Sequence, residues 1–390
     1  MKRIRISLLG KVVIAILLGI LFGYFLPEPL SRVFITINSL FGNFLTFTIP
    51  LIIIGLVTPA IGELGKGAGR LLALTALIAY GSTLFSGFFT FFTGEAIFPH
   101  LIQQGSGMKA LQESSVALTP YFVVDMPPLM GVMTALILAF TIGLGLSITT
   151  GDGLKKVFNE FRDIITMVID KVIIPFLPLY IFGIFLNMTY TGQVGTIIAT
   201  FIKVIAVIFV LHVVLLLLQY TIAGIAQKKN PLKLLRNMLP AYATALGTQS
   251  SAATIPVTME QTIKNGVRKN IAIFTVPLCA TIHLSGSTMK IVACAMAIMI
   301  MSGKPLDFSM MAGFIFMLGI TMVAAPGVPG GAIMAALGVL QSMLGFDETQ
   351  QALMIALYIA MDSFGTACNV TGDGAISLVV DRIAGKHHND

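Results

Sequence analysis

The stretch Tyr358-Ile-Ala-Met-Asp362-Ser-Phe-Gly365-Thr366-Ala-Cys-Asn369-Val-Thr-Gly-Asp373 decides how the rest of the chain is read. It lies in a segment, residues 350–380, that is otherwise apolar and long enough to cross a bilayer. Asp362, Thr366, Asn369 and Asp373 fall at i, i+4, i+7 and i+11, offsets that share one helical face. A carboxylate at the bilayer centre costs a few kcal/mol on insertion scales. Two of them must therefore face protein or a water-filled cavity, and they need cationic partners. The pattern points to a site for a cation and for a ligand that carries a positive group.

Composition agrees with that setting. Of 390 residues, 56% are hydrophobic and 11% charged, and the mean hydropathy is +0.93. Soluble domains average about 25% charged residues, so the chain is read as a multi-spanning membrane protein. Apolar runs of about 20 residues favour helices over barrel strands, which alternate over about 10. The net charge of +7 sits largely in short basic loops. That is the positive-inside pattern and not a nucleic-acid signal. Cys279, Cys294 and Cys368 lie in apolar segments at no metal-ligand spacing, and read as buried free thiols. Lys2, Arg3 and Arg5 precede an apolar run with no small-residue cleavage site after it, so the run reads as a retained first helix.

Six spans follow from apolar runs near 8–26, 35–57, 71–98, 129–148, 164–186 and 194–226. Lysines and arginines before the first span and in the loops at 63–70, 155–162 and 228–236 put those loops, and the N-terminus, in the cytoplasm. Pro50 is a kink candidate in the second span. The second half is different. Residues 234–262 are apolar but broken by Pro240, Gly247 and Pro256, with Thr248-Gln249-Ser250-Ser251 at the centre and basic residues on both flanks. Each arm is too short to span, so this is a re-entrant hairpin entering from the cytoplasm. A span over 271–301 is interrupted at His283-Leu-Ser285-Gly286-Ser287-Thr288. A second broken stretch, 308–344, centres on Pro326-Gly327-Val328-Pro329-Gly330-Gly331 and reads as a hairpin from the outside. The last span then runs inward to Arg382 and Lys386. A hairpin followed by an interrupted span, twice and from opposite faces, is the inverted repeat of secondary transporters, with the site near the midplane.

Rival classes fare worse. Ser250 or Ser251, His283 and Asp362 supply the residue types of a hydrolytic triad, but no nucleophile elbow or oxyanion motif accompanies them. A channel needs a ring of like groups along an open pore, whereas two re-entrant tips that meet fit a gated pocket. His283 and Lys290 lie seven apart, two turns along one face. Lys290 needs a carboxylate or a carbonyl cage. Asp125, Asp170 and Asp362 are all candidates, and sequence does not choose among them.

These motifs resemble the dicarboxylate/amino acid:cation symporter family, the glutamate transporter homologues, over nearly the whole chain. Ser250-Ser-Ala-Ala-Thr-Ile-Pro-Val-Thr-Met259 is similar to the first hairpin's serine-rich tip and the arm that follows. Leu278 to Ser287 takes the place of the family's Asn-Met-Asp-Gly-Thr break, and Gly327 to Met334 that of the second tip. Asn369-Val-Thr-Gly-Asp373 matches the last-span motif outright. The resemblance implies an all-α membrane protein of eight transmembrane helices and two re-entrant hairpins with inverted repeats, in the glutamate-transporter-like elevator fold. It implies a homotrimer in the cell (inner) membrane, in contact with lipid, both termini cytoplasmic. The scaffold would be residues 1–65 and 129–190, and the transport part 66–99, 194–226 and 231–384.

Carried over residue by residue, the resemblance makes Asp362 the partner of a substrate amino group. It adds Thr366, Asn369, Ser250, Ser251, Gly327, Val328, Pro329 and Gly330 around the substrate. Asn369 and Asp373 match the principal sodium (Na+) site. Ser82 and Thr83, with His283 and Ser285, match another. The departures are informative. The last-span arginine of acidic-substrate members is Gly365, the alternative arginine is Gln249, and the family's Asn and Asp of the span-seven break are His283 and Ser285. A second carboxylate on the ligand would lack an arginine clamp. The expectation is therefore a small neutral amino acid, imported with sodium and with fewer ions than acidic-substrate members use. The alternatives are an acidic amino acid or dicarboxylate clamped by Lys290, and proton (H+) coupling through His283.

Overall fold

The computed structural model describes residues 7–64, 70–102, 118–325 and 329–385, and every regular element among them is helical. The first half comprises α1 (Leu8–Phe25), α2 (Glu28–Leu64), α3 (Arg70–Leu101), α4 (Val132–Ile148), α5 (Gly153–Val168), α6 (Ile174–Tyr190) and α7 (Val194–Gln227). The second half comprises α8 (Pro231–Asn237), α9 (Leu239–Thr248), α10 (Ser251–Lys264), α11 (Lys269–Ile282), α12 (Ser285–Met301), α13 (Phe308–Val323), α14 (Gly331–Leu344), α15 (Glu348–Ala360) and α16 (Asp362–Gly385).

Among the described residues, six stretches are long and apolar enough to cross a membrane: 8–25, 28–62, 71–101, 153–190, 194–227 and 269–301. The bent pair α15 and α16 makes a seventh, while α4 is apolar but only 17 residues long. The helices α2 and α3 outrun the apolar runs expected at 35–57 and 71–98, while α1 and α4 fall slightly short of those at 8–26 and 129–148. The loop expected around Lys155, Lys156 and Arg162 is helical, and within α5 only Ile165 is buried. A five-residue π-helical turn, Ile169–Ile173, joins α5 to α6. It brings Pro175 into the first turn of α6, where a missing N–H is no loss. Pro50 and Pro59 both lie inside the single helix α2.

Both expected hairpins are helix pairs, α9 with α10 and α13 with α14. The first turns at Gln249, whose φ is +54°, a conformation that side chains seldom adopt. The second ends on Gly330 at φ +76°, where a glycine meets no such penalty. Each hairpin precedes a broken span. In the first, α11 ends at Ile282 and α12 starts at Ser285, so the break is His283-Leu284, shorter than the sequence implied. In the second, the chain bends by 63° at Met361, between α15 and α16. The run 350–380 is thus not one straight helix. The acidic face survives because Asp362 opens α16 and all four polar residues lie within it. All of α12 and most of α14, α15 and α16 are buried, with α1–α7 outside them.

Candidate functional site

The two broken spans close each other's open backbone. At the first break Asn369, from α16, accepts from the N–H groups of Gly286 (2.8 Å) and Ser287 (3.3 Å) on its side-chain oxygen. Those are donors of a helix N-terminus with no partner inside α12. At the second break Lys290, from α12, donates to the carbonyl of Met361 at 3.3 Å. Ser287 Oγ ties the breaks together, accepting from Asn369 Nδ2 and from the Tyr358 hydroxyl at 3.0 Å each. The helices touch here: a Cβ added to Gly286 would sit 2.8 Å from the Gly365 carbonyl and 2.7 Å from Cys368 Cβ.

Asp362 is the hub. Its Oδ1 lies 3.3 Å from Lys290 Nζ, and its Oδ2 accepts from the Gly330 N–H at 2.8 Å. Lys290 is 0% exposed and Asp362 5%. The ammonium also stands 3.7 Å from the centre of the Tyr358 ring. Of the three carboxylates that sequence offered Lys290, the fold selects Asp362. A Cβ at Gly365 would overlap Lys290 Cε and Nζ. Gly365 is therefore not simply room left where an arginine would stand. Lysine from a neighbouring helix fills that space.

The first hairpin reaches the same place. Gln249 Nε2 lies 3.5 Å from Ser363 Oγ, beside Asp362. Ser250 is the N-cap of α10, accepting from Ala253 N at 3.3 Å, and Ser251 is the first residue of α10. Pro329 is half-buried at the second tip, and Thr366 is buried one turn along α16 from Asp362. Gly327 and Val328 lie outside the described residues.

A second polar cluster lies around Asp373, about three turns along α16 from Asp362. His283 Nδ1 is 2.9 Å from Asp373 Oδ1, and its Nε2 is 3.1 Å from Ser82 Oγ. Gln219 Nε2, from α7, is 3.1 Å from both Ser82 Oγ and Ser285 Oγ. Thr83 donates to its own helix at Ala79 O, and Ser86 donates to the Ser285 carbonyl at 2.8 Å. Asp373 Oδ2 is buried with no partner among the described residues, and so is Gln219 Oε1. An orphaned carboxylate oxygen at this depth suits a hard cation. No group of three or more His, Cys, Asp or Glu among the described residues could hold a metal ion by itself. The connectivity Asp373–His283–Ser82 imitates a triad, with the histidine that the sequence suggested but a different serine and aspartate. Ser82 lies in the middle of α3, where backbone N–H groups are consumed by the helix, so no oxyanion donors accompany it.

Sequence reasoning missed Gln219 and Tyr358 as site residues. The available signal was their polarity inside long apolar runs, above all Gln219 in the 34-residue α7.

Buried polar groups gathered where two helical hairpins meet two broken helices, inside a bundle of apolar helices, are the arrangement expected of a membrane transporter. A family model described as the sodium:dicarboxylate symporter family matches residues 8–383, and the chain belongs to that family. It is a multi-pass transporter and not an enzyme. It is 27% identical to the serine/threonine transporter SstT of Acinetobacter baumannii over 97% of both chains. It is 29% identical to the neutral amino acid transporter B(0) of Oryctolagus cuniculus, over 60% of this chain and 44% of that one. It is 30% identical to excitatory amino acid transporter 1 of Rattus norvegicus, over 60% of this chain and 43% of that one.

Proposed function

We propose that the chain imports a small zwitterionic amino acid, such as alanine, serine or threonine, by sodium-coupled symport. The observation that carries this is the buried Lys290–Asp362 pair against the second hairpin tip. The pair is electrically neutral, and a zwitterion keeps it so. The ligand's ammonium takes Asp362, its carboxylate takes Lys290 and hairpin N–H groups, and charges alternate through the site. An acidic amino acid brings one more buried anion, at several kcal/mol unless a further cation meets it. The names of the relatives, a serine/threonine and a neutral amino acid transporter, favour the same reading.

Transport proceeds as an elevator. The part carrying both hairpins, residues 66–99, 194–226 and 231–384, moves against a scaffold of residues 1–65 and 129–190. Eight spans, both termini in the cytoplasm and a trimer in the inner membrane complete the proposal. The second hairpin is the outer gate, and Gly330 is its contact with the site. Asp373, through its unpartnered Oδ2, holds the sodium ion.

One observation favours the rival ligand class. Lys290 occupies the space at Gly365 where the resembling acidic-substrate transporters carry arginine. A panel of ligands in a thermal-shift assay separates the two. Stabilisation by alanine, serine or threonine supports the zwitterion. Stabilisation by aspartate or succinate alone refutes it. In reconstituted vesicles, uptake driven by a pH gradient with no sodium would refute the sodium assignment.

A further inference from the structure

The family's second sodium position, expected at Ser82, Thr83, His283 and Ser285, does not fit an ion in this chain. A hard cation needs a shell of oxygens with free lone pairs, six or so for the well-studied cases. Here a ring and an amide stand against the hydroxyls of Ser82 and Ser285, and the cavity of about 290 Å³ beside them, between α3, α7 and α16, is lined mainly by apolar side chains. His283 is 1% exposed, and both ring nitrogens are engaged, on Asp373 Oδ1 and Ser82 Oγ. Gln219 directs its amide nitrogen at Ser82 and Ser285 together. Thr83 is turned back to Ala79 O. The ring has no room to withdraw, since a Cβ at Gly372 would stand 2.7 Å from His283 Cε1.

We infer that His283 and Gln219 occupy this second ion position permanently, so that α3 is fastened to α16 by side chains where an ion would otherwise bridge them. The chain carries its own replacement for one coupling ion. The inference rests on the reading of the chain as a cation-driven symporter. It removes one ion from the count and leaves untouched the site at Asp373 Oδ2 and any site built from backbone carbonyls of the second hairpin. The consequence is a substrate site organised with one cation fewer.

The test uses the purified full chain and follows substrate-dependent thermal stabilisation against sodium, with choline replacing sodium at constant ionic strength. Ser82→Ala removes one would-be ligand hydroxyl, and Thr83→Ala removes another together with its γ-methyl. Both are expected to leave the half-saturating sodium concentration within about twofold of wild type. Asp373→Asn is expected to raise it. A rise of tenfold or more in either hydroxyl variant overturns the inference. Should Ser82→Ala misfold through loss of its bonds to His283 and Gln219, Thr83→Ala still decides, because Thr83 bonds only within its own helix among the described contacts. A wild-type chain whose ligand binding ignores sodium altogether keeps the inference and refutes the sodium part of the proposed function. The two failures are therefore distinguishable.

Discussion

Lys290→Met removes a charge and little volume. Methionine is unbranched and fills the lysine's path past Gly365, but Asp362 Oδ1 and the Met361 carbonyl each lose a donor 3.3 Å away. Asp362 keeps the Gly330 N–H on its other oxygen but has lost its one cationic partner among the described residues. Removing one partner of a buried pair costs about 3–5 kcal/mol, because the other charge stays behind. The lost cation–π contact with Tyr358 is partly offset by a sulfur–aromatic contact, about 0.3–1.5 kcal/mol. Unfolding entropy of about 2.1 cal/mol/K per residue over 390 residues converts this to a fall of about 4–6 °C in melting temperature. The double variant Lys290→Met/Asp362→Asn has no charge to strand, and its amide oxygen still accepts from Gly330. It is expected within about 1 kcal/mol of wild type, as neutral replacements of buried pairs often are. The three cysteines are buried and free, so a thiol-reactive dye reads the melt directly, which is useful in a chain without tryptophan. A single variant that melts at or above wild type, or a double variant as unstable as the single, refutes the pairing of these two charges.

Gly365→Ala puts a methyl where Lys290 runs. It is expected to drive the ammonium off Asp362 and abolish stabilisation by amino acids, and adding Lys290→Ala to it is expected to cost little more, because the pair is already broken; an unaffected single variant contradicts the packing. Gly330→Ala must hold φ +76°, at a cost of about 1–2 kcal/mol, and is expected to weaken ligand stabilisation by pulling the tip N–H from Asp362. Lys304→Met loses bonds to the carbonyls of Leu344 (3.0 Å) and Gly345 (2.8 Å) at the end of α14. Since Lys304 lies near the surface, the expected loss is only about 1 kcal/mol, seen as a small drop in melting temperature with ligand affinity unchanged. Cysteines introduced at 250 and 329 are expected to be labelled from the cytoplasm and from outside respectively, and the reverse pattern in every condition would end the proposed topology.

The hairpins were legible because proline, glycine and serine in short apolar arms between like flanks leave a membrane chain few options. The first span break was legible for the same reason. His283-Leu-Ser-Gly interrupts an apolar run with groups that need partners. The bend at Met361 was not legible. No glycine or proline marks it, and its freed carbonyl is satisfied by a lysine 71 residues away in sequence. The carboxylates of the site were visible as an acidic face, but their partners were not. Asp373 meets His283 and Asp362 meets Lys290 only because α12 and α16 lie against each other, with Gly286 and Gly365 at their closest approach. Nor does the sequence show what fills the space beside Gly365. The atoms that fill it belong to another helix.

The reciprocal closure of the two breaks also bears on how the chain enters the membrane. Lys290 is synthesised 72 residues before Asp362. At about 5–20 residues per second, its ammonium waits about 4–14 s for its counter-charge. A lysine at the centre of an inserting helix costs about 2.5–3.5 kcal/mol. The apolar tail from Ile291 to Met301 must carry that burden alone, and Asn369 arrives later still to cap the start of α12. Truncated chains that stop between 301 and 362 should therefore leave α12 unfinished at the insertion machinery, a stage at which a quality-control protease could recognise them.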